Sequence, residues 1–321
     1  MHARIESADN RSALIESNMN LAKNFYRIYR RQINPSLIIW SSSYSTTISS
    51  SDKKRTKFSK KLPIAGVERI ILISSAKGGV GKSSVTVNLA LAIKCLYPNK
   101  KIGILDADIF GPSLPTMIGL LGKKPTTNKQ NLIIPLVNYG VKCMSMGFLV
   151  DEDKPIVWRG LMVMSAMEKL LRFVYWGNLD LLIIDMPPGT GDTQLSIVQN
   201  IPIDGVIIVT TPQKVCLADV VRGTQMFQDL DVPVLGFVKN MSHFICDNCS
   251  HHQSIFWDSN ELEYLAKKFN TEILAQIPLD PNLSKSLDNG CPLVVENPDN
   301  PCSQIFIQLA GKVLSNLENE R

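Results

Sequence analysis

The chain has 321 residues, 45% apolar and 20% charged, with a formal net charge of +5. That balance excludes a disordered or collagen-like chain, and no apolar run reaches the ~20 residues of an integral membrane segment. The charge is uneven: the first 61 residues hold 12 Lys/Arg against 4 Asp/Glu, leaving 22 against 25 in the remainder, so the body has no basic nucleic-acid footprint.

Residues 17–51 contain no acidic side chain. Lys23, Arg27, Arg30 and Arg31 project to one side of a helix whose other side carries Leu21, Phe25 and Ile28, and Ser and Thr dominate residues 41–51. An Arg-rich, Ser-rich, acid-poor, amphipathic leader has the composition of a mitochondrial transit peptide. It predicts a presequence and basic linker over residues 1–61 and residence in the mitochondrial matrix. Glu6, Asp9 and Glu16 do not suit such a leader, which makes Met19 an alternative start. The seven cysteines are odd in number and dispersed, as expected in a reducing compartment.

Over residues 62–318, short Val/Ile/Leu runs alternate with helical patterns, and residues 70–75, 101–106, 179–185, 205–210 and 234–240 read as strands. This predicts an α/β domain with a doubly wound, mostly parallel sheet and helices on both faces. The first strand runs into Ala76, Lys77, Gly78, Gly79, Val80, Gly81, Lys82, Ser83 and Ser84, and a helical pattern follows to residue 96. A strand, a Gly-rich turn closing on Gly-Lys-Ser and a helix make a phosphate-binding loop. In that pattern Lys82 pairs with the β and γ phosphates, Ser83 holds Mg²⁺, and the helix N-terminus adds partial positive charge. Ala76 stands where the first glycine is expected, and Lys77 is a second lysine that the loop does not need in order to fold.

The second strand delivers Asp106 and Asp108 at its carboxyl end, where functional groups gather in parallel sheets. Two carboxylates beside a phosphate loop can order Mg²⁺ and position an attacking water. Residues 132–146, with Asn138, Tyr139 and Gly140 between apolar runs, read as a hairpin inserted at the sheet edge. A later apolar strand ends in Asp185, followed by Met186, Pro187, Pro188, Gly189, Thr190, Gly191 and Asp192. Asp185 suits a second Mg²⁺-facing position, and the Pro/Gly loop can sense the γ-phosphate.

The last strand ends in Lys239, Asn240 and Met241 without the Asp of a guanine-reading motif, which favours ATP. Asn240 is placed to offer its amide to adenine, with Ile277, Pro278, Leu279 and Asp280 as the opposite wall. Beyond it, residues 243–257 form a candidate metal loop holding Cys246 and Cys249, the only Cys-x-x-Cys, and three of the four histidines. Two thiolates bind a soft metal or form a redox pair, but a complete site takes four ligands. Either histidines complete a zinc site, or a symmetric dimer contributes one pair per subunit to a shared centre. Ile305, Leu309, Val313, Leu314 and Leu317 share one face of a C-terminal helix that docks on the domain.

These motifs, with Val157, Trp158, Arg159 and Gly160 and with Thr211, Pro212 and Gln213, resemble the Mrp/nucleotide-binding-protein family. These are deviant Walker-A (SIMIBI-type) P-loop ATPases that handle iron–sulfur clusters. The resemblance covers about residues 62–317. It implies a homodimer with ATP at the interface, in which Lys77 reaches the partner's nucleotide, Asp108 orients water, and Ser83, Asp106 and Asp185 serve Mg²⁺. It further implies that Cys246 and Cys249 of both subunits bridge a labile [4Fe–4S] cluster. With the leader, the nearest branch is the mitochondrial one that supplies clusters to complex I apoproteins during assembly. No cysteine precedes Cys95, so the N-terminal cluster of the cytosolic branch has no counterpart. ParA/MinD-like positioning ATPases share the doubled lysine but leave Cys246 and Cys249 unexplained. A nitrogenase-type iron protein separates its cysteines widely, and a zinc-stabilised ATPase without cluster transfer is the remaining alternative.

Overall fold

A computed structural model describes residues 61–150, 160–246, 249, 251–256 and 260–319. The presequence expected over residues 1–61 lies outside them except for Lys61, as do Val157, Trp158 and Arg159 and part of the metal loop.

Five strands, β1 (Ile70–Ser74), β2 (Ile102–Asp106), β5 (Leu181–Asp185), β6 (Gly205–Thr210) and β7 (Val234–Lys239), fall on the five predicted apolar runs. Every residue of β1, β2, β5 and β6 is buried, as a parallel sheet covered on both faces requires. β3 (Leu136–Asn138) and β4 (Val141–Ser145) form the predicted hairpin, and β10 (Ile273–Gln276) completes an eight-stranded sheet of order β10-β7-β6-β1-β5-β2-β4-β3. All neighbours are parallel except β3 and β4.

The hairpin departs from expectation in one respect. β4 is a full member of the sheet, parallel to β2, and only β3 is an antiparallel edge. Its turn residues Tyr139 and Gly140 both have positive φ, at 49° and 75°, which matches the right-handed twist of the strands it joins. A separate short hairpin, β8 (Phe244–Ile245) with β9 (His252–Gln253), carries the cysteines.

Helix α1 (Lys82–Leu96) follows β1, and α2 (Leu114–Met117) follows β2. Helices α3 (Gly160–Arg172), α4 (Asp192–Asn200), α5 (Lys214–Asp229) and α6 (Glu261–Lys268) make one layer. Helices α7 (Pro281–Asp288), α8 (Leu293–Glu296) and α9 (Pro301–Asn319) join α1 in the other, with α9 lying along α1. As predicted, α9 buries Leu309, Val313, Leu314 and Leu317. None of the described helices is long and apolar enough to cross a membrane.

The chain winds from β1 through β2 and back to β5, then crosses β1 to reach β6 and β7. The winding direction therefore reverses beside β1, and the crevice at its carboxyl end is where such a sheet takes a ligand.

Candidate functional site

β1 ends at Ser74, and the phosphate loop turns into α1 without a side-chain cap at Gly81. Two loop residues need the left-handed region, Gly79 at φ 78° and Gly81 at φ 82°, and both are glycines. Ala76 has no positive φ, so the missing glycine costs the loop nothing in backbone strain. A Cβ added at Gly78 or Gly79 would meet nothing within 4 Å, which leaves an open cradle lined by backbone. Open backbone N–H groups at an uncapped helix start fit a phosphate.

Asn240 lies under this loop, 4% exposed, and its Nδ2 donates to the Val80 carbonyl at 2.8 Å. It braces the loop, and an adenine contact would fall to its second N–H or its Oδ1. Residues 277–280, the expected opposite wall, follow β10 directly, beside the end of β7 that leads into Asn240. Ile277 N–H donates to Lys239 O, Ser242 N–H to Ile277 O, and Leu279 N–H to His243 O, so this segment also anchors the root of the cysteine hairpin. Gly81→Ala would drive a Cβ to 2.2 Å from Asn240 Nδ2 in addition to straining φ. We expect a loss of about 2 kcal/mol or more in urea unfolding and weaker ADP binding by calorimetry.

Lys82 is 6% exposed, and its Nζ lies 2.5 Å from Asp185 Oδ1 and 3.3 Å from Ser83 Oγ. Thr86 Oγ1 donates to the same Asp185 oxygen at 3.1 Å. Asp106 and Asp185 are register partners on β2 and β5, so their side chains leave the sheet on one face. Asp106 accepts from Leu114 N, Asp108 N and Ser145 Oγ, at 3.2, 3.1 and 3.0 Å. Burial, reinforced by the Asp185 charge and opposed by Lys82, pushes the Asp106 carboxyl up to about 7.

Two buried carboxylates thus share one lysine. A hard divalent cation fits such a donor set: Mg²⁺ takes one or two carboxylates with a hydroxyl and phosphate oxygens, and Asp106, Asp185 and Ser83 would supply the carboxylates and the hydroxyl. When bound, Mg²⁺ would neutralise charge on the phosphates. Because the folded value lies above the ordinary 3.8, the Asp106 contribution to stability in the metal-free protein is lost as pH rises towards 7, and a cation bound there would have to displace a proton below it. We expect Mg²⁺–nucleotide affinity to fall as pH drops below about 7 and to level off above it, with proton release measurable by calorimetry in buffers of different ionisation enthalpy. Asp108 is half-buried and caps its own turn, Oδ1 accepting from Gly111 N at 3.3 Å. Its backbone N–H donates to Asp106 Oδ1, which keeps it at the same strand end.

Lys77 does not point at Lys82's partner. Its Nζ pairs with Asp219 Oδ2 on α5 at 3.3 Å, and Arg222 holds the other oxygen at 3.1 Å. The Pro/Gly loop after β5 is tied to the same loop: Gly189 N–H donates to Ser75 O at 2.8 Å. Buried Gln194 on α4 donates to the carbonyls of Pro187 and Pro188. Gln194, Asp219, Thr86 and Ser145 complete the site, although the sequence pattern singled out none of them. Gln194 alone carried a signal, as an amide at the third position of a helix that follows a Gly-rich turn.

At the carboxyl end of β7, two strands from β1, the cysteine hairpin begins. Cys246 is half-buried and Cys249 exposed, and neither is in a disulfide. Cys246 N–H donates to His251 O at 3.1 Å. His243 stacks on His252 with ring centroids 5.2 Å apart and shares a hydrogen bond with Ser242 Oγ at 2.9 Å. Burial and the neighbouring His252 lower the His243 pKa. Among the described residues no group of three or more His, Cys, Asp or Glu converges to hold a metal. The arrangement offers two thiols per chain, beside a nucleotide site.

A family model described as ParA: NUBPL iron-transfer P-loop NTPase matches residues 66–314. The iron-sulfur cluster transfer protein NUBPL of Mus musculus is 48% identical over 260 residues, covering 81% of each chain. The iron-sulfur protein required for NADH dehydrogenase, mitochondrial, of Arabidopsis thaliana is 48% identical over 263 residues, covering 81% of this chain and 82% of that one. Among solved structures, a nucleotide-binding protein from Archaeoglobus fulgidus in complex with ADP superposes with a TM-score of 0.64 at 36% identity, covering 75% of this chain and 93% of that one. A phosphate loop facing paired aspartates, a cysteine hairpin two strands away, and relatives aligned across most of their length lead to one assignment: this chain belongs to the NUBPL iron-transfer family of ParA-type P-loop NTPases.

Proposed function

We propose that this chain is an ATP-dependent carrier of a labile [4Fe–4S] cluster, held at a homodimer interface and delivered to apoproteins in the mitochondrial matrix, among them subunits of respiratory complex I. The observation that carries this reading is that the phosphate loop and the cysteine hairpin issue from the same edge of one sheet, so a partner facing that edge meets both. That edge also exposes large apolar side chains: Phe110 at 67%, Leu161 at 88%, and Leu149, Met162, Val215 and Leu279. Apolar side chains exposed on the segments that carry the site support a protein-covered surface there.

In this reading residues 62–318 are the ATPase domain and residues 1–61 the presequence. Cys246 and Cys249 bind half of the cargo, and the partner's pair completes its four thiolates. Lys77 leaves Asp219 to reach the nucleotide of the partner subunit. Because Lys77 is 43% exposed, the pair it gives up is worth only about 0–1 kcal/mol. Lys82 holds the β and γ phosphates, Asp108 orients water, and Ser83, Asp106 and Asp185 serve Mg²⁺. Hydrolysis is slow because the site is complete only when two subunits meet. Nucleotide governs the cargo by binding the holding and releasing states of the dimer with different affinity.

Anaerobic reconstitution with iron and sulfide tests this reading. A brown dimer with one cluster, which passes it to an acceptor at rates that differ between ATP, a non-hydrolysable analogue and no nucleotide, is the expected result. Colourless protein with stoichiometric zinc rejects it, and equal rates in all three conditions reject the coupling. Import into isolated mitochondria with cleavage before Leu62 tests the location, and a chain that stays outside and uncut counts against it.

A further inference from the structure

We propose that Gln194 is the positioning residue of the loop that reads the γ-phosphate, acting as the pivot on which residues 187–191 turn. This rests on the ATPase reading above. Gln194 is the third residue of α4 and 2% exposed. Its Nε2 donates to Pro187 O at 2.8 Å and to Pro188 O at 2.7 Å. Cβ atoms added at Gly189 and Gly191 would lie 3.8 and 3.5 Å from its amide atoms, so the whole loop is wrapped around this one group.

A Gln or Glu at the third helical position ordinarily folds back on the N-cap N–H. Gln194 does something different, giving its two amide hydrogens to successive carbonyls, which a glutamate has no hydrogens to do. Among the described residues no backbone N–H reaches either carbonyl, and the prolines themselves have no N–H with which to join a ladder.

On its other side the loop is held once, by the Gly189 N–H on Ser75 O at the mouth of the phosphate loop. The two ends of this arrangement differ in kind. The proline carbonyls are clamped from within the fold, whereas Gly189, at φ 97°, sits where the backbone can swing. A γ-phosphate that draws a loop N–H towards itself can therefore exchange the Gly189–Ser75 bond while the Gln194 bonds stay fixed. The β-phosphate is met by residues 78–83 and makes no demand on Gln194.

The test uses the full-length protein with Gln194→Met, of equal length without a donor, and Gln194→Glu, of equal shape without the NH₂. ADP affinity should stay within about twofold of wild type, while kcat for ATP falls at least about tenfold with little change in KM. Hydrogen exchange over residues 186–195 of the nucleotide-free protein should quicken about tenfold or more. Unchanged exchange and kcat in both variants would overturn the proposal. So would loss of ADP binding in parallel with kcat, which is the mark of a general structural role. If wild type itself fails to hydrolyse ATP, the functional reading falls, and the exchange measurement alone then decides whether Gln194 is the clamp.

Discussion

Lys82→Ala is expected to remove ATP hydrolysis, by at least about 10²–10³-fold, because in the proposed reading its ammonium group is the cation that holds the β and γ phosphates. It should also destabilise the nucleotide-free protein by about 3–5 kcal/mol, since Asp185, 2% exposed, is left with a buried charge whose cation is gone. The two losses separate in the double variant. Lys82→Ala with Asp185→Asn removes both charges and should recover most of the stability without recovering hydrolysis. Urea denaturation and a phosphate-release assay measure the two effects. A single variant as stable as wild type would mean that Lys82 does not neutralise Asp185 in solution.

Cys246→Ser is expected to do the reverse: cluster binding is lost while the nucleotide site and the fold are kept. A serine hydroxyl stays protonated at neutral pH and is a hard oxygen donor, so it replaces neither the charge nor the softness of a thiolate. Cys246 is half-buried on a two-stranded hairpin outside the main sheet, so stability should change by less than about 0.5 kcal/mol. Iron and sulfide analysis after anaerobic reconstitution reads the first effect, and thermal melting with ADP titration reads the second. A Cys246→Ser dimer that still holds about four irons would place the cargo elsewhere.

The central strands were legible because a strand buried on both faces must be apolar throughout, and Asp106 and Asp185 interrupt those runs only at their carboxyl ends. The phosphate loop was legible for a similar reason, since Gly79 and Gly81 occupy conformations that few other residues adopt. Ala76 looked like a defect only because a pattern cannot say which of its glycines the backbone needs. β10 escaped notice as a four-residue edge strand whose pairing with β7 shifts register. Asp219 was not legible at all, and Gln194 carried only the faint signal of an amide at the third position of a helix. Asp219 acts on Lys77, far away in sequence, whereas Gln194 acts on a nearby carbonyl pair that only the folded loop turns towards it, and carboxylates and amides on helices are ordinary surface residues until the fold gives them such a partner. The bracing contact of Asn240 was hidden by distance, since it reaches Val80 across 160 positions of the chain.

The strand order β7-β6-β1 leaves the tips of β7 and β1 about 10 Å apart, at roughly 4.8 Å per neighbour. Both strands are pinned on each side by a ladder of parallel hydrogen bonds, so the sheet behaves as a stator that cannot shear without breaking them. Any coupling between nucleotide and cysteines in the proposed function would then be confined to short arms projecting from that stator. One arm is the loop on Gln194, and the other is the hairpin that leaves β7 through Met241, at φ 51°. In the proposed carrier cycle the stroke would then be set by the length of a hairpin, with the sheet itself unchanged while cargo comes and goes.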